Sequence, residues 1–114
     1  MKNSIVNREP AVAGQFYPAN AEKLRREIET YFSEAVPQKY TNVRAIISPH
    51  AGYVFSGKVA ASAFNQIDEN ADYERIFLLA SSHHYHFNGA SVYCHGDFIM
   101  PYGREKVDTD FGRQ

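Results

Sequence analysis

The pattern of hydrophobic and polar positions predicts two amphipathic helices. Apolar residues recur at helical spacing over residues 21–35, Asn20 is suited to cap the first turn, and Pro37 follows the last turn. A second helix is expected to begin at Ser56, which can cap it, and to end at the polar residues 68–72. Its apolar face would consist of Val59, Ala60, Ala63, Phe64 and Ile67.

Two short apolar runs predict buried strands. Residues 43–48 precede the second helix, and residues 75–80 follow it. Strand, helix and strand in this order are typical of a βαβ unit, in which the two strands lie parallel in one sheet. The predicted fold class is therefore α/β, with a partly parallel, βαβ-based sheet flanked by helices. Residues 89–94 are a candidate edge strand.

The remaining segments have weaker patterns. Residues 1–19 are expected to form an extended lead-in that is anchored by Phe16 and Tyr17. Residues 100–103, Met-Pro-Tyr-Gly, predict a turn, and a further helix is expected to begin at Val107.

Two loops that carry histidine follow the predicted strands. Residues 49–55 contain His50, and residues 81–87 contain His83. Open α/β sheets bind ligands at the carboxyl ends of parallel strands, and neighbouring strands lie roughly 5 Å apart. His50 and His83 are therefore expected to reach one ion or ligand together. Imidazole is the commonest protein ligand of iron, copper and zinc.

Structural explanations remain open for the same loops. The His83-His84 pair is equally suited to hydrogen bonding with loop carbonyls, and the Ser81-Ser82 pair to forming an ordinary turn. Tyr53 and Phe55 are candidates for binding a substrate, but they are also suited to packing the loop against the sheet. Cys94 is better explained as a buried structural thiol than as a metal ligand.

Composition narrows the classes of function. The formal net charge of -1 gives no electrostatic reason to expect nucleic acid or an anionic membrane as a partner. The single cysteine excludes an intrachain disulfide, and no apolar run resembles a signal peptide, so a cytoplasmic location is expected. No glycine-rich phosphate loop and no Cys-x-x-Cys pair is present.

Three motifs resemble those of the Memo family, which includes bacterial proteins named AmmeMemoRadiSam system protein B. They are Arg-Glu-Pro-Ala-Val-Ala-Gly-Gln-Phe-Tyr-Pro at residues 8–18, Ala-Ile-Ile-Ser-Pro-His-Ala-Gly-Tyr at residues 45–53, and Arg-Ile-Phe-Leu-Leu-Ala-Ser-Ser-His-His at residues 75–84. The resemblance covers essentially all of this chain but less than half of the family domain. We therefore expect residues 1–114 to be the N-terminal part of a single, truncated Memo-like α/β domain.

The resemblance implies a fold like that of class III extradiol dioxygenases. It also implies His50 and His83 as ligands of iron or copper, with a third, cysteine ligand that lies beyond residue 114 and that Cys94 does not match. Three functions follow as hypotheses: a metal- or small-molecule-binding protein with redox chemistry, a ring-cleaving dioxygenase in which His84 acts as the catalytic base, or a module that binds a phosphotyrosine peptide. Exposed sheet edges would favour a homo-oligomer.

Overall fold

Three helices and one small antiparallel sheet make up the regular structure of residues 4–114, the part of the chain that the computed structural model describes. The first three residues of the predicted lead-in lie outside this range. The elements in chain order are α1 (Ala21–Ser33), α2 (Tyr53–Phe64), β1 (Phe98–Met100), β2 (Gly103–Glu105) and α3 (Thr109–Gly112).

Helix α1 begins as the sequence predicts. The Asn20 side chain accepts a hydrogen bond from the Lys23 backbone N–H at 2.9 Å, which satisfies one of the free N–H groups of the first turn. The helix ends at Ser33, two residues before the predicted end. There the Ser33 hydroxyl donates to the Thr30 carbonyl at 2.7 Å and so competes with the helical hydrogen-bond pattern.

Helix α2 begins three residues before the predicted start. Gly52 is its N-cap, and the prediction of Ser56 as the cap is wrong. Ser56 lies inside the first turns, where its hydroxyl donates to the Ala51 carbonyl at 3.0 Å. After α2 ends, the Asn65 side chain donates to the Val36 carbonyl at 2.9 Å and joins this end of the helix to the segment after α1.

The hydrophobic core lies between α1 and α2 and is small. Leu24 of α1 and Ala61 of α2 are buried, with exposed fractions of 2% and 5%. Gly57 is also buried, and its lack of a side chain lets the Tyr31 ring lie directly against the α2 backbone.

The three predicted strands at residues 43–48, 75–80 and 89–94 form no β-ladder among residues 4–114. The prediction of a βαβ sheet is therefore wrong for residues 4–114, where the helix between the first two segments forms but the parallel sheet does not. None of these three segments makes a backbone-to-backbone hydrogen bond with another part of residues 4–114. An apolar run becomes a strand only when a neighbouring backbone pairs with it, and the described residues provide no such neighbour.

The sheet that does form lies near the C-terminus. Strands β1 and β2 are antiparallel, with Met100 opposite Gly103, so the predicted turn at 100–103 is confirmed. The lead-in adds to this sheet, because Arg8 pairs with Phe98 in a parallel bridge and the Ile99 N–H donates to the Arg8 carbonyl at 2.8 Å. Helix α3 begins at Thr109, two residues after the predicted start, and is capped by Asp108.

The described chain is more open than a packed domain of its length. Its radius of gyration is 15.8 Å, whereas a compact domain of this size has a radius of about 13 Å. Consistent with this, Ile47 and Leu79 on the two unpaired apolar segments are more than nine-tenths exposed. None of the helices in residues 4–114 is long and apolar enough to cross a bilayer.

Candidate metal centre

The two predicted histidines face each other. His50 Nε2 lies 3.1 Å from His83 Nε2, and the two rings are nearly parallel, with an interplanar angle of 26° and centroids 5.2 Å apart. At this distance the N–H of one ring can donate to the lone pair of the other. Both side chains are exposed. The structure therefore brings together two residues that are 33 positions apart in sequence.

The loop that carries His50 is anchored on its C-terminal side. Its C-terminal end continues into α2, and the Tyr53 N–H donates to the Phe16 carbonyl of the lead-in at 2.7 Å. The Ser56 hydroxyl holds the Ala51 carbonyl, which directly follows His50. These two hydrogen bonds restrict the backbone next to the imidazole.

A serine turn shapes the loop that carries His83. The Ser82 hydroxyl donates to the Tyr85 carbonyl at 2.7 Å and accepts from the Tyr85 N–H at 3.2 Å. This closes a turn over His83 and confirms the interpretation of the Ser81-Ser82 pair as a turn. The turn leaves the His83 ring free to reach His50.

Tyr73 links the two apolar segments at their other end. Its hydroxyl donates to the Val43 carbonyl at 2.7 Å, close to the start of both segments. This contact and the contact between His50 and His83 join the two segments near their two ends. Sequence reasoning missed Tyr73 because a single tyrosine after a polar turn carries no distinctive pattern.

Tyr53 and Phe55 occupy different environments. Tyr53 is half-buried and packs against two other rings, with centroid distances of 5.5 Å to Tyr17 and 6.4 Å to Tyr31. Burial raises the pKa of the Tyr53 phenol, and the neighbouring Tyr102 and Tyr17 hydroxyls raise it further. Phe55 is exposed. Tyr53 thus contributes to packing, and the role of both residues in substrate binding stays a prediction.

The other histidines and the cysteine lie apart from the pair. His84 and His86 are exposed in the same loop as His83, and neither makes a side-chain hydrogen bond within residues 4–114. His95 packs edge-on against Tyr93 at a centroid distance of 5.7 Å. Cys94 is buried, with its sulfur against Gly112, so the prediction of a buried thiol is confirmed.

The two imidazoles satisfy one geometric requirement of a shared metal ion. Nitrogen ligands lie about 2.0–2.1 Å from zinc and similar ions, so two ligands of one ion are at most about 4.2 Å apart. The 3.1 Å between the two Nε2 atoms lies within that limit. Within the described part of the chain, no third His, Cys, Asp or Glu side chain completes a three-residue cluster. The site can therefore offer an ion two protein ligands, with the other positions open.

Comparisons with known proteins agree on one family. The family described as Memo-like protein matches residues 8–114. A MEMO1 family protein of Methanococcus maripaludis is 34% identical over 114 residues, which cover 93% of this chain and 40% of that protein. The MEMO1 family protein MHO1 of Saccharomyces cerevisiae is 37% identical over 100 residues, 86% of this chain and 30% of the relative.

A mammalian relative is also similar. The protein MEMO1 of Mus musculus is 42% identical over 84 residues, which cover 74% of this chain and 28% of that protein. The resemblance seen in the sequence motifs is thus confirmed. The chain spans two fifths or less of the length of these relatives.

Proposed function

The chain belongs to the Memo-like protein family, and we propose that it binds one iron or copper ion between His50 and His83. The observation that carries this proposal is the 3.1 Å separation of the two Nε2 atoms in loops that follow the two apolar segments. Imidazole nitrogen suits both metals, which distinguishes this donor pair from the oxygen sites preferred by magnesium and calcium.

The chain's own residues would hold the ion and leave its remaining positions accessible. Ser56 and Ser82 fix the two loops through hydrogen bonds to Ala51 and Tyr85, so the imidazoles need little rearrangement to act as ligands. Both rings are exposed, and water or a small molecule can therefore reach the same place. A bound iron or copper ion would supply redox chemistry at these open positions.

Titration of the whole chain with metal tests the proposal. Binding of Cu²⁺, and of Fe²⁺ without oxygen, is measured by calorimetry for the wild type, His50→Ala and His83→Ala. We expect one ion per wild-type chain and at least a tenfold loss of affinity in each variant, because one of two protein ligands is removed. His86→Ala and His95→Ala are matched controls, since they remove exposed imidazoles outside the pair.

The outcome against the proposal is specific. If His50→Ala and His83→Ala bind metal with the stoichiometry and affinity of the wild type, the pair is not the site. If the two control variants lose as much affinity as the pair variants, metal binding is a general property of surface histidines in this chain.

A further inference from the structure

The segment after the histidine pair contains the one Asn-Gly dipeptide of the chain, Asn88-Gly89. The chain bends at both residues, and every residue from 81 to 92 is exposed. The hydrogen bonds that shape this loop belong to Ser82 and Tyr85 and so end before Asn88. Within residues 4–114, the Gly89 N–H makes no backbone-to-backbone hydrogen bond. The dipeptide is therefore open to water.

Gly89 adopts a backbone conformation that favours glycine. Its φ is +96°, in the region that other residues rarely adopt. A Cβ atom at this position would meet no atom of the described chain within 4 Å, so the space beside Gly89 is open as well. Neither a side chain of its own nor the surrounding structure therefore obstructs an approach to the Gly89 nitrogen.

The covalent structure of an asparagine places two reactive groups next to each other. The side-chain carbonyl carbon, Cγ, is an electrophile, and the backbone nitrogen of the following residue can reach it by closing a five-membered ring. Such an intramolecular reaction is fast when the two groups meet freely, because no translational entropy is lost. A following side chain hinders the approach, and glycine removes that obstacle.

We propose that Asn88 is a site of spontaneous deamidation through a cyclic succinimide. The Gly89 nitrogen forms a bond to Cγ of Asn88 and loses its proton, the Cγ–Nδ2 bond breaks, and the leaving nitrogen takes up a proton and departs as ammonia. Water then opens the ring at either of its two carbonyl groups, which gives aspartate or isoaspartate. The reaction consumes only water, so it stands independently of the proposed metal site.

Either product changes the loop that carries His83. Aspartate and isoaspartate both add a carboxylate to a chain whose formal net charge is -1. Isoaspartate also lengthens the main chain by one carbon atom. Asn88 is five positions after His83 and in the same exposed segment, so the modification alters both the charge and the backbone of this loop.

Peptide mapping of the whole chain by mass spectrometry, after incubation at mildly alkaline pH, tests the inference. We expect a mass gain of about 1 Da at Asn88, with both aspartate and isoaspartate present. The rate should be on the order of ten times that at Asn70, which corresponds to a barrier lower by about 1.4 kcal/mol. Asn70 is the internal control, because it is also exposed, but Ala71 follows it and Asp68 binds its backbone N–H and its side-chain amide. Gly89→Ala should slow the reaction at Asn88 by a similar factor.

Unfolding in urea separates the effect of the structure from that of the dipeptide. Because the folded loop is already open, we expect the rate at Asn88 to change by less than about threefold on unfolding. A much faster reaction in urea would mean that the fold protects Asn88 and would overturn the inference. Equal rates at Asn88 and Asn70, a wild-type rate in Gly89→Ala, or aspartate as the sole product would overturn it as well.

Discussion

The contact between Gly57 and Tyr31 determines whether replacing Gly57 by alanine raises or lowers the free energy of unfolding. Gly57 lies in the interior of α2, where replacing glycine by alanine ordinarily stabilises a helix by about 1 kcal/mol. A Cβ atom at this position would lie 2.6 Å from Cε2 of Tyr31. Carbon atoms pack best at about 3.5–4.0 Å, so the added methyl group is about 1 Å too close.

Either response to Gly57→Ala costs free energy. If the Tyr31 ring stays, the overpacked contact costs about 1–3 kcal/mol. If the ring moves away, it loses the 2.8 Å hydrogen bond from its hydroxyl to Glu27 and its edge-on contact with Tyr53. These contribute about 0.5–1.5 kcal/mol each. After subtracting the gain in helix propensity, we expect Gly57→Ala to lower the free energy of unfolding by about 1 kcal/mol.

A double-mutant cycle isolates the contact. In a Tyr31→Ala background the methyl group has no ring to meet, and Gly57→Ala should then stabilise the chain by up to about 1 kcal/mol. Urea unfolding followed by far-ultraviolet circular dichroism measures all four proteins. If Gly57→Ala changes the free energy of unfolding in the same direction in both backgrounds, the contact with Tyr31 is not the cause of its effect.

Two further predictions concern the core and a carboxylate. Leu24→Ala should destabilise the chain by about 2–5 kcal/mol, because it leaves a cavity between α1 and α2, whereas Ile5→Ala at an exposed position should change the free energy of unfolding in urea by under about 0.5 kcal/mol. A hydrogen bond from the Phe111 N–H, with a smaller contribution from Arg75, lowers the pKa of Asp108 below 3.8. Because the folded pKa lies below the unfolded value, this stabilisation is present above pH 3.8 and is lost as the pH falls through the folded pKa. An NMR titration of the Asp108 carboxyl carbon should give a midpoint below pH 3.8 in the wild type, and this midpoint should rise only in part in Arg75→Met. A wild-type midpoint that is not below 3.8 would contradict the role of the two hydrogen bonds.

Local patterns accounted well for the helices and turns. Asn20 caps α1, and residues 100–103 form the turn of the hairpin, because both depend on interactions within a few residues of the chain. Ser56 shows the limit of the same reasoning. Serine is a suitable cap, but the Phe16 carbonyl, which is distant in sequence, binds the Tyr53 N–H and allows α2 to begin earlier.

The structure confirms that His50 and His83 lie close together, but not by the predicted route. The meeting of His50 and His83 was expected from two adjacent, hydrogen-bonded strands. The structure brings them together through loop hydrogen bonds and the Tyr73–Val43 contact instead. Backbone pairing of the two segments is therefore not needed for His50 and His83 to meet.

By itself the sequence determined the position of α1, the hairpin turn, the membership of the Memo-like family and the meeting of His50 and His83. These features rest on local hydrogen bonding or on motifs of contiguous residues. Only the tertiary structure decided that residues 43–48 and 75–80 have no backbone partner within residues 4–114 and that residues 75–80 are exposed. The physical reason is that an apolar run indicates only that its side chains favour burial. A strand forms only when a second backbone lies at hydrogen-bonding distance, and residues 4–114 supply none for these two segments.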